Sequence, residues 1–408
     1  MDRSLLIRGA SLVLPDGVRL GDDVLIANGV IGSIGPGLTA STAPVIDLTG
    51  FTVAPGFFDL HVHGAGGALF EHGDVDGNST ISAHLARRGT TGILATLAAL
   101  PREDLRRAVA AIAASCGREP GARIRGVHLE GPFLNPRRCG AQNPAWMRPP
   151  SLAELDELAE LSGGRIRMIT VAPELDGADS FIRGAVQRRL TVAIGHTEAS
   201  ETQVRRAVAA GATHVTHLFN AMPSLHHREL GPVGVALTED ALSVELICDG
   251  HHLSSRAVDL AVRCKPRAQL VLVSDAVAAC VVDGAYDFLG FPCVVSEGVV
   301  RLDPGGRLAG SALTLDQAVR NARQWLPRLS LPELVRCVSS TPLRVAGLGR
   351  EGSLEPGQIA DLIVLNEGLG VVATLRAGEC IWTAPELQPA FGKIDNSLVA
   401  SPAKCKAE

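Results

Sequence analysis

Two textures of hydrophobic and polar positions divide the 408-residue chain. Over the first fifty residues, short apolar stretches are punctuated by turn residues: SLLIRGASLVL, PDG, RLGDDVLIANGVIGSIG and APVIDLTGFTVAPG. Runs of this length bounded by Gly, Pro and Asp predict the hairpins of a small β-domain. The texture returns in GSLEPGQIADLIVLNEGLGVVATLRAGECIW, so the two ends are candidates to share one sheet around a central insertion. The middle alternates differently. Its β-branched apolar runs are TVAPGFFDLHVHG, GTTGILATL, IRGVHLEGP, IRMITVAPE, LTVAIGHTE, ATHVTHLFNAM, LSVELICDGHH and QLVLVSDAV. Amphipathic stretches such as REDLRRAVAAIAASCG, SLAELDELAELSGG and SETQVRRAVAAG lie between most of them. Strands alternating with helices predict βα units and a parallel sheet. About eight units over roughly 250 to 300 residues match a (β/α)8 barrel. An open doubly wound sheet is the runner-up, but no GxGxxG follows the first strand. The predicted division is a small β-domain from 1–53 and 346–384, a barrel over 54–345, and a weakly periodic extension over 385–408.

Composition removes several function classes. Lys+Arg 38 against Asp+Glu 43 leaves a net charge of -5, without the basic stripe of a nucleic-acid binder. No apolar run approaches a membrane span, and MDRSLLIRGASLVLPDG meets charge and turn residues too early for a signal peptide. The nine cysteines are odd in number and scattered, with no CxxC pair. That argues against a disulfide framework or thiolate zinc site and predicts a reducing cytoplasm. Lysine occurs only at Lys265, Lys393, Lys404 and Lys406. A Walker-type phosphate loop is thereby excluded, and Schiff-base chemistry is disfavoured.

The polar residues of the central region are placed regularly. The first barrel run ends in His61-Val62-His63, the third in His128-Leu129-Glu130 and the fifth in Gly195-His196-Thr197. The sixth ends in Thr216-His217-Leu218, the seventh in Asp249-Gly250-His251-His252 and the eighth in Ser274-Asp275-Ala276. In a barrel these ends converge on the C-terminal mouth, where such enzymes keep their active sites. His61 and His63, two apart on a strand, share a face. With Glu130, His196 and His217 they offer imidazole and carboxylate ligands to a divalent ion. Zn²⁺ is the first expectation, one or two ions, with Fe²⁺, Mn²⁺ or Co²⁺ as alternatives. Such an ion makes water a usable nucleophile near neutral pH. A lone His at a strand end is ordinarily packed rather than ligating; five candidate ligands at one rim outweigh that reading. Asp275, after QLVLVS, is the candidate general base and acid, against a structural role as a helix cap.

These residues resemble the N-acetylglucosamine-6-phosphate deacetylase family of the amidohydrolase superfamily. The matching strings are PGFFDLHVHG, HLEGPFLNP, GHT, THLFNAM, HHREL, DGHH, SDA, LAGSALT and GSLEPGQIADLIVL, spanning about residue 50 to 365. The resemblance implies an α/β fold: a TIM-like barrel with a small β-sandwich built from both chain ends. It also implies hydrolysis of an acetamide to glucosamine 6-phosphate and acetate. Glu130, His196 and His217 match the family's principal metal ligands. His61 and His63 match the HxH with which some members hold a second metal, and Asp275 the catalytic acid/base. Asn220, Ala221, Arg228 and His252 match sugar-phosphate contacts. Ala141 falls in a substrate-contacting loop, and Leu308, Ala309, Gly310 and Ser311 match the segment against the substrate. Arg228 offers phosphate a bidentate fork. The implied partner is a small amino-sugar phosphate, and relatives are commonly dimers, which implies a homodimer; neither nucleic acid nor membrane is expected.

Two departures bear on specificity. Gln142 stands in CGAQNP where many relatives have His, so carbonyl polarisation would rest more on the metal and sugar preference could change. Strand four, IRMITVAPE, lacks the lysine that bridges two metals in other amidohydrolases, so Glu130 must serve as any bridge. Two alternatives follow: a deacetylase for another sugar, such as N-acetylgalactosamine 6-phosphate, or a metal-free barrel acting as a structural partner.

Overall fold

A computed structural model describes residues 4–40, 43–278, 284–349 and 351–391. The N-terminal texture becomes β1 (Ser4–Leu14), β2 (Gly17–Ala27), β3 (Val30–Gly35), β4 (Val45–Asp47) and β5 (Thr52–Pro55). The C-terminal texture becomes β19 (Leu362–Leu365), β20 (Val371–Arg376) and β21 (Glu379–Thr383). All eight form one sheet, in the order β21-β20-β19-β5-β1-β2-β3 with β4 also on β1. β5 joins the chain ends: Val53 lies opposite Leu12 in parallel register and opposite Val364 in antiparallel register. The sheet buries its own apolar core, which includes Ile7, Leu12, Ile26, Leu362 and Leu375. Of the expected extension, Pro385–Leu387 and Gln388–Phe391 turn against this core through Leu387 and Phe391. Positions 392–408 lie outside the described residues.

The central runs form β6 (Phe57–Val62), the short hairpin β7 (Gly64–Ala65) and β8 (Ala68–Leu69), and β9 (Thr90–Ala98). Then come β10 (Arg123–Glu130), β11 (Ile166–Val171), β12 (Thr191–Ile194), β13 (His214–Val215), β14 (Ser243–Ile247) and β15 (Leu270–Val273). Eight of these, β6 and β9 to β15, pair in parallel in chain order. The ring closes from β15 to β6 through a parallel bridge between Val62 and Ala276 and the Asp275 N–H donated to the His61 carbonyl at 2.9 Å. Both faces of these strands are buried, as the continuous apolar runs require.

The amphipathic stretches are the flanking helices, including α1 (Val75–Ala86), α2 (Arg102–Ser115), α3 (Leu152–Leu161), α4 (Ala178–Gln187) and α5 (Glu201–Ala210). α5 begins on a reciprocal capping box. The Ser200 hydroxyl accepts from the Gln203 N–H, and Gln203 Oε1 accepts from the Ser200 N–H at 2.8 Å. No described helix is long and apolar enough to cross a membrane. Like the β7–β8 hairpin, three further strands fall outside the alternating pattern: β16 (Gly284–Phe288), β17 (Phe291–Ser296) and β18 (Val299–Leu302) form a separate antiparallel sheet after the last barrel strand.

Candidate active site

The ends of the barrel strands deliver the expected residues to one place. Glu130 is the last residue of β10, His63 follows β6, and His196, His217 and Asp275 each lie two residues beyond β12, β13 and β15. Just past their strands the chain turns sharply. His196, His217 and Asp275 have φ of 47°, 29° and 49°, and Ala221 has 50°. Left-handed conformations are unfavourable for such residues and cluster where function demands them. Gly195 permits the approach: a Cβ there would lie 2.8 Å from Thr170 Cγ2 and 2.9 Å from Thr216 Cβ.

Two groups of ligand atoms result. In the first, Glu130 Oε1 lies 3.1 Å from His196 Nε2 and 2.9 Å from His217 Nε2, with the two nitrogens 3.0 Å apart. In the second, the Nε2 atoms of His61 and His63 are 3.3 Å apart, and each is 3.5 Å from Asp275 Oδ1. Glu130 links the groups, because its Oε2 is 3.3 Å from His63 Nε2. All six residues are buried.

The hydrogen bonds behind the rings show what the groups are built for. Glu245 and Glu71 accept from the Nδ1 atoms of His61 and His63 at 2.9 and 2.6 Å, and the Arg138 carbonyl accepts from His196 Nδ1 at 2.7 Å. With the proton held at Nδ1, the Nε2 lone pairs turn toward one another and toward carboxylate oxygens. Lone pairs facing lone pairs at about 3 Å call for a shared cation. The donor set of nitrogen and oxygen without thiolate therefore fits a divalent metal. In the protein alone, burial disfavours the charged form of His61, yet Glu130, Glu245 and Asp275 outweigh it and push its pKa up to about 9. Burial likewise opposes ionisation of Glu130, but His61 and His196 hold its carboxyl well below the usual range.

Beneath the ligands the barrel interior carries a run of hydrogen-bonded polar side chains. His128 Nε2 meets the Thr170 hydroxyl at 2.8 Å, and Thr170 meets Thr216 at 2.8 Å. The His128 ring stands edge-on to His61 at 4.9 Å. Burial, and then the neighbouring His61 charge, lowers the His128 pKa to about 3. His128 is therefore a neutral packing partner of a ligand.

A cavity of about 190 Å³ opens over the groups, walled by His63, Glu130, His196, His217 and Asp275. Ala141, Gln142, Asn220, Ala221, His252, Leu308 and Gly310 also line it, as does Phe288, which the sequence reading did not single out. Phe288 arrives on β16, and its ring meets His63 at right angles, 6.2 Å between centroids. His252 is oriented by Asp249 Oδ2, which accepts from its Nδ1 at 2.7 Å.

Several expected substrate contacts sit differently. Gln142 has both ends of its amide engaged: Nε2 donates to Glu130 Oε2 at 2.7 Å and Oε1 accepts from the Ala99 N–H at 2.8 Å. It braces the linking carboxylate. Asn220 Nδ2 turns back on the carbonyls of His217 and Leu218 at 3.2 and 3.3 Å. Ala309 is fully buried, and the Ser311 hydroxyl donates to the Ser274 carbonyl at 2.6 Å, so alternate residues of that segment face away from the cavity. Arg228 lies outside the lining, exposed, with its guanidinium 2.9 Å from His227 Nε2. A larger cleft of about 600 Å³, bordered by Leu14, Pro15, Pro332 and Arg336, contains none of the ligand residues.

Sequence reasoning missed Glu71, Glu245 and His214. The signal for Glu245 was present: one carboxylate in the middle of the apolar run LSVELIC, where burial without a partner is costly. Glu71 in ALFEHG gave no comparable signal.

The model of the Amidohydrolase family matches residues 52–393. The N-acetylgalactosamine-6-phosphate deacetylase of Escherichia coli O157:H7 is 37% identical over 369 residues, covering 90% of this chain and 96% of that one. The N-acetylglucosamine-6-phosphate deacetylase of Bacillus subtilis (strain 168) is 32% identical over 398 residues, 95% and 99% of the two chains. Among solved structures, a mutant N-acetyl-D-glucosamine-6-phosphate deacetylase from Mycobacterium smegmatis, in complex with N-acetyl-D-glucosamine-6-phosphate, superposes with a TM-score of 0.87. It is 34% identical, and the match covers 94% of this chain and 100% of that one.

Proposed function

Since the chain belongs to the amidohydrolase family, we propose that this site hydrolyses the acetamide of N-acetyl-D-glucosamine 6-phosphate, giving D-glucosamine 6-phosphate and acetate in amino-sugar recycling. The observation that carries the reading is the convergence of four imidazole Nε2 atoms with Glu130 and Asp275 at the floor of one small cavity, which three of those imidazoles line. A metal-free structural barrel has no use for such a set.

Glu130, His196 and His217 would hold one divalent ion, and His61, His63 and Asp275 a second, with Glu130 between them. Such an ion supplies Lewis acidity and lowers the pKa of water. We assign zinc, ahead of Fe²⁺, Mn²⁺ and Co²⁺, on the ligand chemistry. Asp275 takes the proton of the attacking water and delivers it to the amide nitrogen as the C–N bond breaks, so the amine leaves neutral. Gln142 keeps Glu130 turned toward both ligand groups. Ala141, Ala221, Leu308 and Gly310 shape the cavity, and His252, on its wall, would contact the sugar phosphate. Arg228, a short way along the chain from Ala221, is the phosphate's candidate cation. A homodimer is assigned by family resemblance. A cytoplasmic setting accords with the free thiols of the seven described cysteines.

The galacto epimer is the second reading, favoured by the E. coli relative. Acetate release from both sugar phosphates, with and without chelator, tests the assignment. A chelator-sensitive preference for the gluco epimer is expected. A tenfold or greater preference for the galacto epimer moves the assignment to the second reading, and no release from either refutes deacetylation.

A further inference from the structure

Glu245 has none of the chemical roles assigned above, yet one of its carboxylate oxygens bonds to two of the candidate metal ligands. It lies at the centre of β14, fully buried. A carboxylate is costly to bury unless its oxygens are satisfied. Oε2 accepts from His61 Nδ1 at 2.9 Å and from the main-chain N–H of His217 at 3.0 Å. Oε1 accepts from His214 Nε2 at 3.1 Å, and His214 is tied through Nδ1 to the Ser243 hydroxyl at 2.7 Å.

His61 and His217 belong to different ligand groups, and Glu245 anchors them in different ways. On His61 it fixes the tautomer, so the Nε2 lone pair faces the cavity. His217 Nδ1 is buried without a partner, and its main chain is held at a φ of 29°. Its anchor is the N–H that Glu245 accepts. Glu71 serves as the contrast: its Oε1 accepts from His63 Nδ1 at 2.6 Å and from the Ala98 N–H at 3.1 Å, touching one group only.

Resting on the metal-centre reading, we infer that Glu245 is a positioning residue shared by both ion sites: one buried carboxylate sets the ligand geometry at His61 and His217 together, whereas Glu71 positions His63 alone. The two sites are then mechanically joined below the cavity through Glu245 as well as above it through Glu130.

The test is divalent-ion binding by the whole chain, with Zn²⁺ titrated against a chelating dye and Co²⁺ followed by its visible spectrum. Glu245→Gln keeps the shape, removes the charge and turns one acceptor into a donor. It should weaken both sites by about 10–100-fold and alter the spectrum of both Co²⁺ equivalents. Glu71→Gln should weaken one site by a similar factor and leave the other unchanged. A folded Glu245→Gln with both sites at wild-type affinity, or with only one weakened, overturns the inference. If that variant does not fold, Glu245→Asp carries the test, since it keeps the charge but retracts it by one methylene. Weakening at both sites supports the shared role, and an unchanged site overturns it. A wild-type chain that binds no divalent ion, or only one, overturns the shared role. The first of these results also removes the metal-centre reading, whereas normal binding in Glu245→Gln leaves that reading intact.

Discussion

Replacing Asp275 with Asn removes the proton acceptor while leaving an oxygen where the carboxylate stood. The main chain of Asp275 is pinned on both sides: its N–H donates to the His61 carbonyl at 2.9 Å, and its carbonyl accepts from the Ser311 N–H at 2.7 Å. Its φ of 49° lies in a region that Asn tolerates as readily as Asp. The substituted amide would thus occupy the place of the carboxylate, whose Oδ1 lies 3.5 Å from the Nε2 atoms of His61 and His63. What disappears is the charge and the ability to take a proton. A positioned general acid/base typically contributes about 10²- to 10⁴-fold, or about 3–5 kcal/mol of barrier. Glu130, four imidazoles and the carboxylates behind two of them remain to hold metal. We expect Asp275→Asn to keep its metal content and KM while kcat for acetate release falls by about 10²- to 10⁴-fold. Stopped-time acetate assays on protein whose metal content has been measured check this. Turnover within tenfold of wild type, at full metal content, would remove Asp275 from the proton path. Loss of the metal would show that the residue acts mainly as a ligand.

Two further outcomes follow from the geometry. His61 has a pKa raised from 6.5 to about 9 in the protein alone, so its protonated form adds stability that is complete below pH 6.5 and is lost as pH rises through 9. The gap corresponds to about 3 kcal/mol. Thermal melts of chelated protein should therefore fall between pH 6.5 and 9, while metal-loaded protein, whose His61 is already deprotonated, should not share that fall; a flat chelated profile contradicts the charge balance described here. Gly195→Ala places a methyl 2.8 Å from Thr170 Cγ2. It should cost about 1–3 kcal/mol in denaturant unfolding and weaken metal binding at His196 and His217, and an unchanged variant would mean that the strand end yields freely.

The ligand residues were legible because barrel strands end in recognisable places. An apolar run that stops at HVH, HLE, GHT or SDA marks both the strand and its mouth-facing terminus, and chain order gives the neighbours. The helices were legible as amphipathic stretches between the strands, as SETQVRRAVAAG, which becomes α5, shows. The shared sheet at the chain ends was suggested by texture alone; the pairing of Val53 with both Leu12 and Val364 makes it specific.

Taken by itself, the order of residues determined the element types, the eight-unit barrel and which side chains reach its rim, because periodicity and strand ends are local properties. Only the tertiary structure decided what stands behind those side chains. Glu71 reaches His63 and Glu245 reaches His61 across separations of 8 and 184 residues. Gln142 turned out to grip Glu130, and Ser311 to face away from the cavity. Hydrogen bonds of this kind depend on how the closed barrel and its loops bring side chains together in space, and no periodicity along the chain encodes that distance.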